Sequence, residues 1–258
     1  MGITSLDVKK SLFWGEKKDN VLVLSFKDNQ FSHLIDLSFK KILMEYLDFI
    51  SRSDEIKVIL IKASPVKMER KEFFEFHKNL MSSASGNISL ERIYNGINQI
   101  ILKLINLNKI IVYVDSGKIS LLRMNIGLAC DYRIISDDTI YQNFNIDLDL
   151  LPKGGGAFFL SRMLGRPAAR KILLTREDIS AENALKLGMV DEVVPLAEMD
   201  QRAMAAAERL AGFPVNYFLG VKKLLNYDAR DLDKYLEFEN ELIRRQIDCI
   251  NMSSAECT

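Results

Sequence analysis

Histidine is almost absent from this chain: His33 and His77 are the only two, so a histidine-rich metal site or a Ser-His-Asp triad has little to draw on. Cysteine is nearly as scarce. Cys130, Cys249 and Cys257 form an odd set without metal-ligand spacing, and two of them fall in the last ten residues, which points to a reduced cytoplasm. Excess charge of either sign is missing too. Thirty-five Lys+Arg balance thirty-five Asp+Glu, so no global field recruits nucleic acid or an anionic membrane, and an anionic ligand must be met locally. No apolar run approaches the roughly 20 residues that span a bilayer, and the opening MGITSLDVKK lacks the apolar core of a signal peptide. The expectation is a soluble, cytoplasmic protein. What is present is apolar material, 48% of 258 residues, enough for one sizeable core or two small ones.

The pattern along the chain predicts an α/β fold. VLVLSF (21–26) and KVILIK (57–62) are short apolar, partly β-branched runs that read as strands, and LSFKKILMEYLDFI (37–50) between them has helical spacing. Met68 to Met81 reads as a charged amphipathic helix with Phe73, Phe74 and Phe76 facing inward, followed by a loop at SSASGN (82–87). A longer helix over Leu90 to Leu107 leads into KIIVYVD (109–115), a strand of the kind buried on both faces. SLLRMNIGLAC (120–130) reads as a helix with Ser120 as N-cap, and YRIIS (132–136) and TIYQNF (139–144) as strands. Gly154, Gly155 and Gly156 open another helix. Beyond Pro167 the pattern reads as helix after helix, punctuated by Gly188, Pro195 and Pro214. Composition shifts there as well, from Ile, Lys and Asn to the Ala-rich AEMDQRAMAAAERLAG (197–212).

The stretch KIIVYVDSGKISLLRMNIGLACDYRIIS resembles the core of the enoyl-CoA hydratase/isomerase (crotonase) superfamily. Ser116–Gly117 and Cys130–Asp131 fall where that family has an Asn-Gly and a Cys-Asp pair. LLPKGGGAFFLSRMLGRPAARKILLTREDISAENALKLGMVDEVVP resembles the family's Pro-x-Gly-x-Gly-Gly helix start and the segment after it, so the likeness runs from Lys109 to Val190 without a gap. It implies a spiral of ββα turns over residues 1–195 with C-terminal helices over 196–258 for packing and trimerisation. It further implies a homo-trimer or dimer of trimers, and a coenzyme A or carrier-bound thioester as ligand, with no covalently bound cofactor, metal, nucleic acid or membrane partner. Family chemistry holds the thioester carbonyl between two backbone N–H groups, one at a helix N-terminus, while carboxylates move protons.

Several positions depart from that pattern. A Gly-Gly-Gly run expected before the helix is replaced by Leu121, Leu122 and Arg123, whose side chains would project toward space used by the acyl group. The Leu122 N–H stands at the expected donor position, since any residue but proline supplies one. The other donor belongs to a Gly/Ala turn that is here ASPVKMERKEF, with Ser64 at the thioester-binding position and Pro65 unable to donate. The two glutamates of the hydratases fall at Asn125 and Asn145, and an amide cannot carry a proton through a cycle. Lys153 occupies a position where other members have aspartate, and reads either as a base with a lowered pKa or as a solvated loop residue. Asp147 and Asp149 would share one face if FNIDLDL is extended, as an acid site or as a solvated loop. Tyr141 offers a phenol to the same region or serves as a buried strand aromatic. The glycine run reads as a phosphate cradle or as close packing. Lys67, Arg70 and Lys71 stand where coenzyme A phosphates are expected by resemblance, and equally fit a solvated helix face. Two classes of function follow: an enzyme that processes an acyl thioester without the two-glutamate pair, and a catalytically inactive crotonase-fold subunit or binding protein.

Overall fold

A computed structural model describes residues 3–27, 37–64, 70–82, 86–227 and 231–255. Strands β1 (Val8–Lys9), β2 (Phe13–Lys18) and β3 (Val21–Phe26) form an antiparallel meander. Helix α1 (Leu37–Arg52) then leads to β4 (Val58–Lys62), which pairs parallel with β3. Helices α2 (Arg70–Ser82) and α3 (Gly86–Asn106) precede β5 (Ile110–Asp115), parallel to β4. After β6 (Lys118–Ser120) come α4 (Leu121–Leu128), β7 (Tyr132–Ser136), β8 (Ile140–Gln142) and a 3-10 turn at Asn145–Leu148. Helix α5 (Gly156–Leu174), β9 (Ile179–Ser180), α6 (Ala181–Lys186) and β10 (Glu192–Val194) follow, and α7 (Met199–Ala211), α8 (Val215–Leu225) and α9 (Leu232–Ala255) end the chain. One sheet has the order β1-β2-β3-β4-β5-β7-β10, and a second, smaller one β6-β8-β9.

The central strands divide their side chains between two cores, as the period of two requires. Leu22, Leu24, Ile59, Ile61, Ile111 and Tyr113 face the larger one, with α1, α3, α4 and α9. Val21, Val23, Val58, Leu60, Val112 and Val114 face the other, which is closed by Ala203, Ala206, Ala207 and Ala211 of α7. Alanine lets that helix lie close against the sheet, which accounts for the Ala-rich composition of the segment.

Three features differ from the reading of the sequence. Residues 13–18 form a strand although the polar half, GEKK, obscures its alternation, because Phe13 is buried between Phe26 and Tyr46. The chain beyond Pro167 is not all helix: β9 closes the small sheet, and β10 extends the large one by pairing parallel with β7. FNIDLDL is not extended. It turns through the 3-10 segment and reaches a left-handed conformation at Asp149 (φ 51°), so Asp147 and Asp149 do not share a strand face. Of the predicted 82–87 loop, residues 83–85 lie outside the described residues, and helix flanks them on both sides.

Candidate functional site

Helix α4 starts where the short link from β5 through Gly117 (φ 69°) and β6 delivers Ser120 in an extended conformation. The Ser120 side chain caps none of the first-turn N–H groups. Intrahelical carbonyls do not reach those groups either, so the turn that contains the Leu122 N–H presents donors and the positive end of the helix dipole. Leu121 turns into the core, whereas half-buried Leu122 lines a cleft together with Ser120.

Arg123 borders the same cleft but does not fill it. Its guanidinium turns back to Asp115 at the end of β5, with Nε donating to Oδ2 at 3.1 Å and Nη2 to Oδ1 at 2.6 Å. Nη2 also donates to the Ser64 carbonyl at 2.9 Å. Asp115 accepts further from the Tyr113 hydroxyl and the Ser116 N–H. Both charges are almost wholly buried and fully engaged, so they act as a strut that fixes the Ser64 segment against the start of α4. The link spans both expected carbonyl-holding positions.

Asn125 is fully buried, and its Nδ2 donates to the Lys153 carbonyl at 2.9 Å. A Cβ on Gly156 would come within 2.6 Å of that Nδ2, so glycine at 156 is required by close approach to Asn125. Asn145 donates from Nδ2 to the Leu151 carbonyl at 3.2 Å and lines the cleft. Both carboxamides thus brace the loop that carries Lys153.

Lys153 is 5% exposed, which removes the solvated-loop reading. Its ammonium meets Asn98 Oδ1 on α3, lies 3.6 Å from Glu239 on α9, and stands 6.0 Å above the Tyr94 ring. Burial lowers its pKa to about 8, against the opposing pull of Glu239. Glu239 is pushed upward by its own burial and accepts the Gly155 N–H at 2.9 Å, so a protein carboxylate takes this donor of the glycine run.

The remaining predicted residues lie apart. Asp149 is exposed, 3.4 Å from Gln246 Nε2, and does not line the cleft. Asp147 is held by Arg70 at 2.6 Å and Arg176 at 2.9 Å, which pins the 3-10 turn to α2 and to the segment after α5. Arg70 is therefore not an unpaired cation, though its side chain remains 58% exposed. Lys71 is exposed beside Glu75, and Lys67 and Pro65 lie outside the described residues. Tyr141 is a buried strand aromatic in β8.

The cleft has a free volume of about 60 Å³, room for a few waters. Its walls are mainly apolar and come from α2, α3, α4 and the 145–153 loop: Phe73, Phe76, Ile93, Tyr94, Leu122 and Leu150. Among the described residues no aspartate or glutamate lines it, and its polar groups include His77, Lys118, Asn145 and Lys153. Reading the sequence missed His77, Tyr94 and Glu239 as members of this neighbourhood. His77 stands four residues after Phe73, one helical turn, and that spacing was the available signal; Glu239 carried none.

The fold is that of the crotonase superfamily: an enoyl-CoA hydratase from Bacillus halodurans superposes with a TM-score of 0.79 at 20% identity, over 92% of this chain and 95% of that one. The family model for enoyl-CoA hydratase/isomerase matches residues 16–253, and the chain belongs to that family. A trans-2-decenoyl-[acyl-carrier-protein] isomerase of Streptococcus mutans is 25% identical over 221 residues, 85% of this chain and 82% of its own. A short-chain-enoyl-CoA hydratase of Clostridium acetobutylicum is 31% identical over 117 residues, 45% of each chain. No helix among the described residues is long and apolar enough to cross a membrane.

Proposed function

We propose that the cleft holds an acyl thioester, on coenzyme A or a carrier, and that the reaction served there is a shift of a double bond rather than hydration. The observation that supports this reading is the pair of carboxamides that stand where the resemblance expects the hydratase glutamates: Asn125 and Asn145 each donate from Nδ2 to a backbone carbonyl. Hydration needs one group to deprotonate water and another to protonate carbon, and amides do neither. A double-bond shift needs only that a proton leave one carbon and return to another. The narrow, mostly apolar cleft fits a reaction in which water takes no part.

In this reading the Leu122 N–H at the start of α4 receives the thioester oxygen, and Ser64, tied to α4 through Arg123, stands at the second holding position. The buried Lys153 ammonium adds positive charge beneath the cleft and favours the enolate. Arg70 can keep Asp147 and turn its other nitrogens outward to a phosphate, with Lys67 beside it in sequence. Assembly into trimers or pairs of trimers would cover the exposed Tyr217, Leu224 and Leu225 of α8.

The test is product analysis by NMR after incubation with trans-2-decenoyl-CoA. The expected product is the 3-decenoyl thioester without any 3-hydroxyacyl product, and accumulation of the hydroxyacyl thioester would contradict the proposal. The small free volume favours a second reading, a binding or partner subunit without turnover. It would show tight thioester binding with no product at all.

A further inference from the structure

His77 has no part in the holding groups described above, yet its imidazole lines the cleft. Its Nδ1 lies 2.9 Å from the Phe73 carbonyl, four residues earlier on α2. A carbonyl only accepts, so Nδ1 carries the proton, and in the neutral ring Nε2 keeps a free electron pair. The ring is held against Phe73, with centroids 4.2 Å apart, and meets Phe76 edge-on at 5.3 Å. Burial lowers its pKa, which keeps the ring neutral near pH 7. Among the described residues, the charged side chains that share the cleft are Lys118 from β6, Arg123 from α4 and Lys153 before α5, all of them cations. Arg123 is committed to Asp115 and Lys153 to Glu239, and neither is placed to accept a proton as readily as an uncharged imidazole.

We propose that His77 is the catalytic base of this cleft, a role resting on the thioester reading above, and that its Nε2 carries one proton between the carbons of the bound enoyl thioester. Nε2 takes a proton from C4 of a 2-enoyl thioester. The C4–H electron pair becomes the C3=C4 bond, and the former C2=C3 pair moves into the enolate, with its negative oxygen at the first turn of α4. The imidazolium then returns the proton to C2, the carbonyl re-forms, and the ring is neutral again. No water, oxidant or reductant is consumed. The Nδ1–H bond to the Phe73 carbonyl fixes the tautomer of the neutral ring and the aromatic contacts fix its orientation, so Nε2 is the atom that takes the proton and gives it back.

The experiment follows, by NMR, transfer of deuterium from C4 to C2 of trans-2-decenoyl-CoA labelled at C4, alongside calorimetric titration of the same thioester. In His77→Gln, label transfer and isomerisation should fall by about 10²–10⁴ while the dissociation constant stays within threefold. His77→Ala should regain part of its activity on addition of imidazole, which a merely structural histidine would not allow. Unchanged transfer in His77→Gln, or a wild-type protein that isomerises the thioester without moving deuterium from C4 to C2, would overturn the assignment of the base alone. Absence of thioester binding by the wild-type protein would overturn the thioester reading and, with it, this role for His77.

Discussion

At Arg123 a residue that looks like an obstruction on paper proves to be a strut. Its charge and that of Asp115 are desolvated together, so removing one leaves the other uncompensated. Arg123→Ala is expected to cost about 3–5 kcal/mol, read as a drop in the denaturant midpoint at unchanged slope. A loss below 1 kcal/mol would mean the pair is not buried as described. The carboxamides are the second residue-scale feature. Asn125→Glu with Asn145→Glu is expected not to restore hydration, because the longer side chain at 125 meets Gly156, where a Cβ would already approach within 2.6 Å. Hydration of a short 2-enoyl-CoA by that double variant, at the 1–10³ s⁻¹ usual for enzymes, would show that the asparagines alone block it. The identities of both asparagines were legible in the sequence, as was the helix start at Leu121 and Leu122. Where Arg123 points was not, since its partners lie eight residues away on Asp115 and on the carbonyl of Ser64, in a different segment.

Between elements, the link that matters most runs from the loop before α5 to α3 and α9 through Lys153, Asn98 and Glu239. Its pH behaviour follows from Lys153, whose pKa is lowered from 10.5 to about 8. Between those values the unfolded chain keeps a proton that the folded protein has released. Stability therefore rises with pH across that window, and the contribution is lost as pH falls through 8. Compared with Lys153→Met, the wild-type protein should gain stability from pH 8 to pH 10 in denaturant titrations; a flat or falling difference would rule out a depressed amine. The strands β3, β4 and β5 were readable from unbroken apolar runs, because burial on both faces leaves no other pattern. β9 and β10, two and three residues long, were not, because so short a segment carries no periodicity and is defined only by the strand beside it. Glu239 was equally silent: nothing in a helix of mixed charge marks the one carboxylate that tertiary packing will bury.

For the molecule as a whole, the C-terminal third is not an annex. Leu232, Leu236, Ile243 and Ile247 of α9 join the main core, and α7 closes the second one. Among the exposed large apolar side chains, Tyr217, Leu224 and Leu225 gather on one face of α8 at 69–79% exposure. Light scattering is expected to give the mass of three or six chains, and a monomer at micromolar concentration would contradict assembly through that face. The central claim, that the open first turn of α4 grips a thioester carbonyl, is tested most directly by calorimetric titration. Decanoyl-CoA should bind at least about tenfold tighter, a difference of ~1.4 kcal/mol, than the thioether analogue that lacks the carbonyl. Leu122→Pro, which removes one first-turn N–H at a helix position that tolerates proline, should erase that difference, whereas Leu122→Ala should keep it. Equal affinities for thioester and thioether in the wild-type protein would contradict the account.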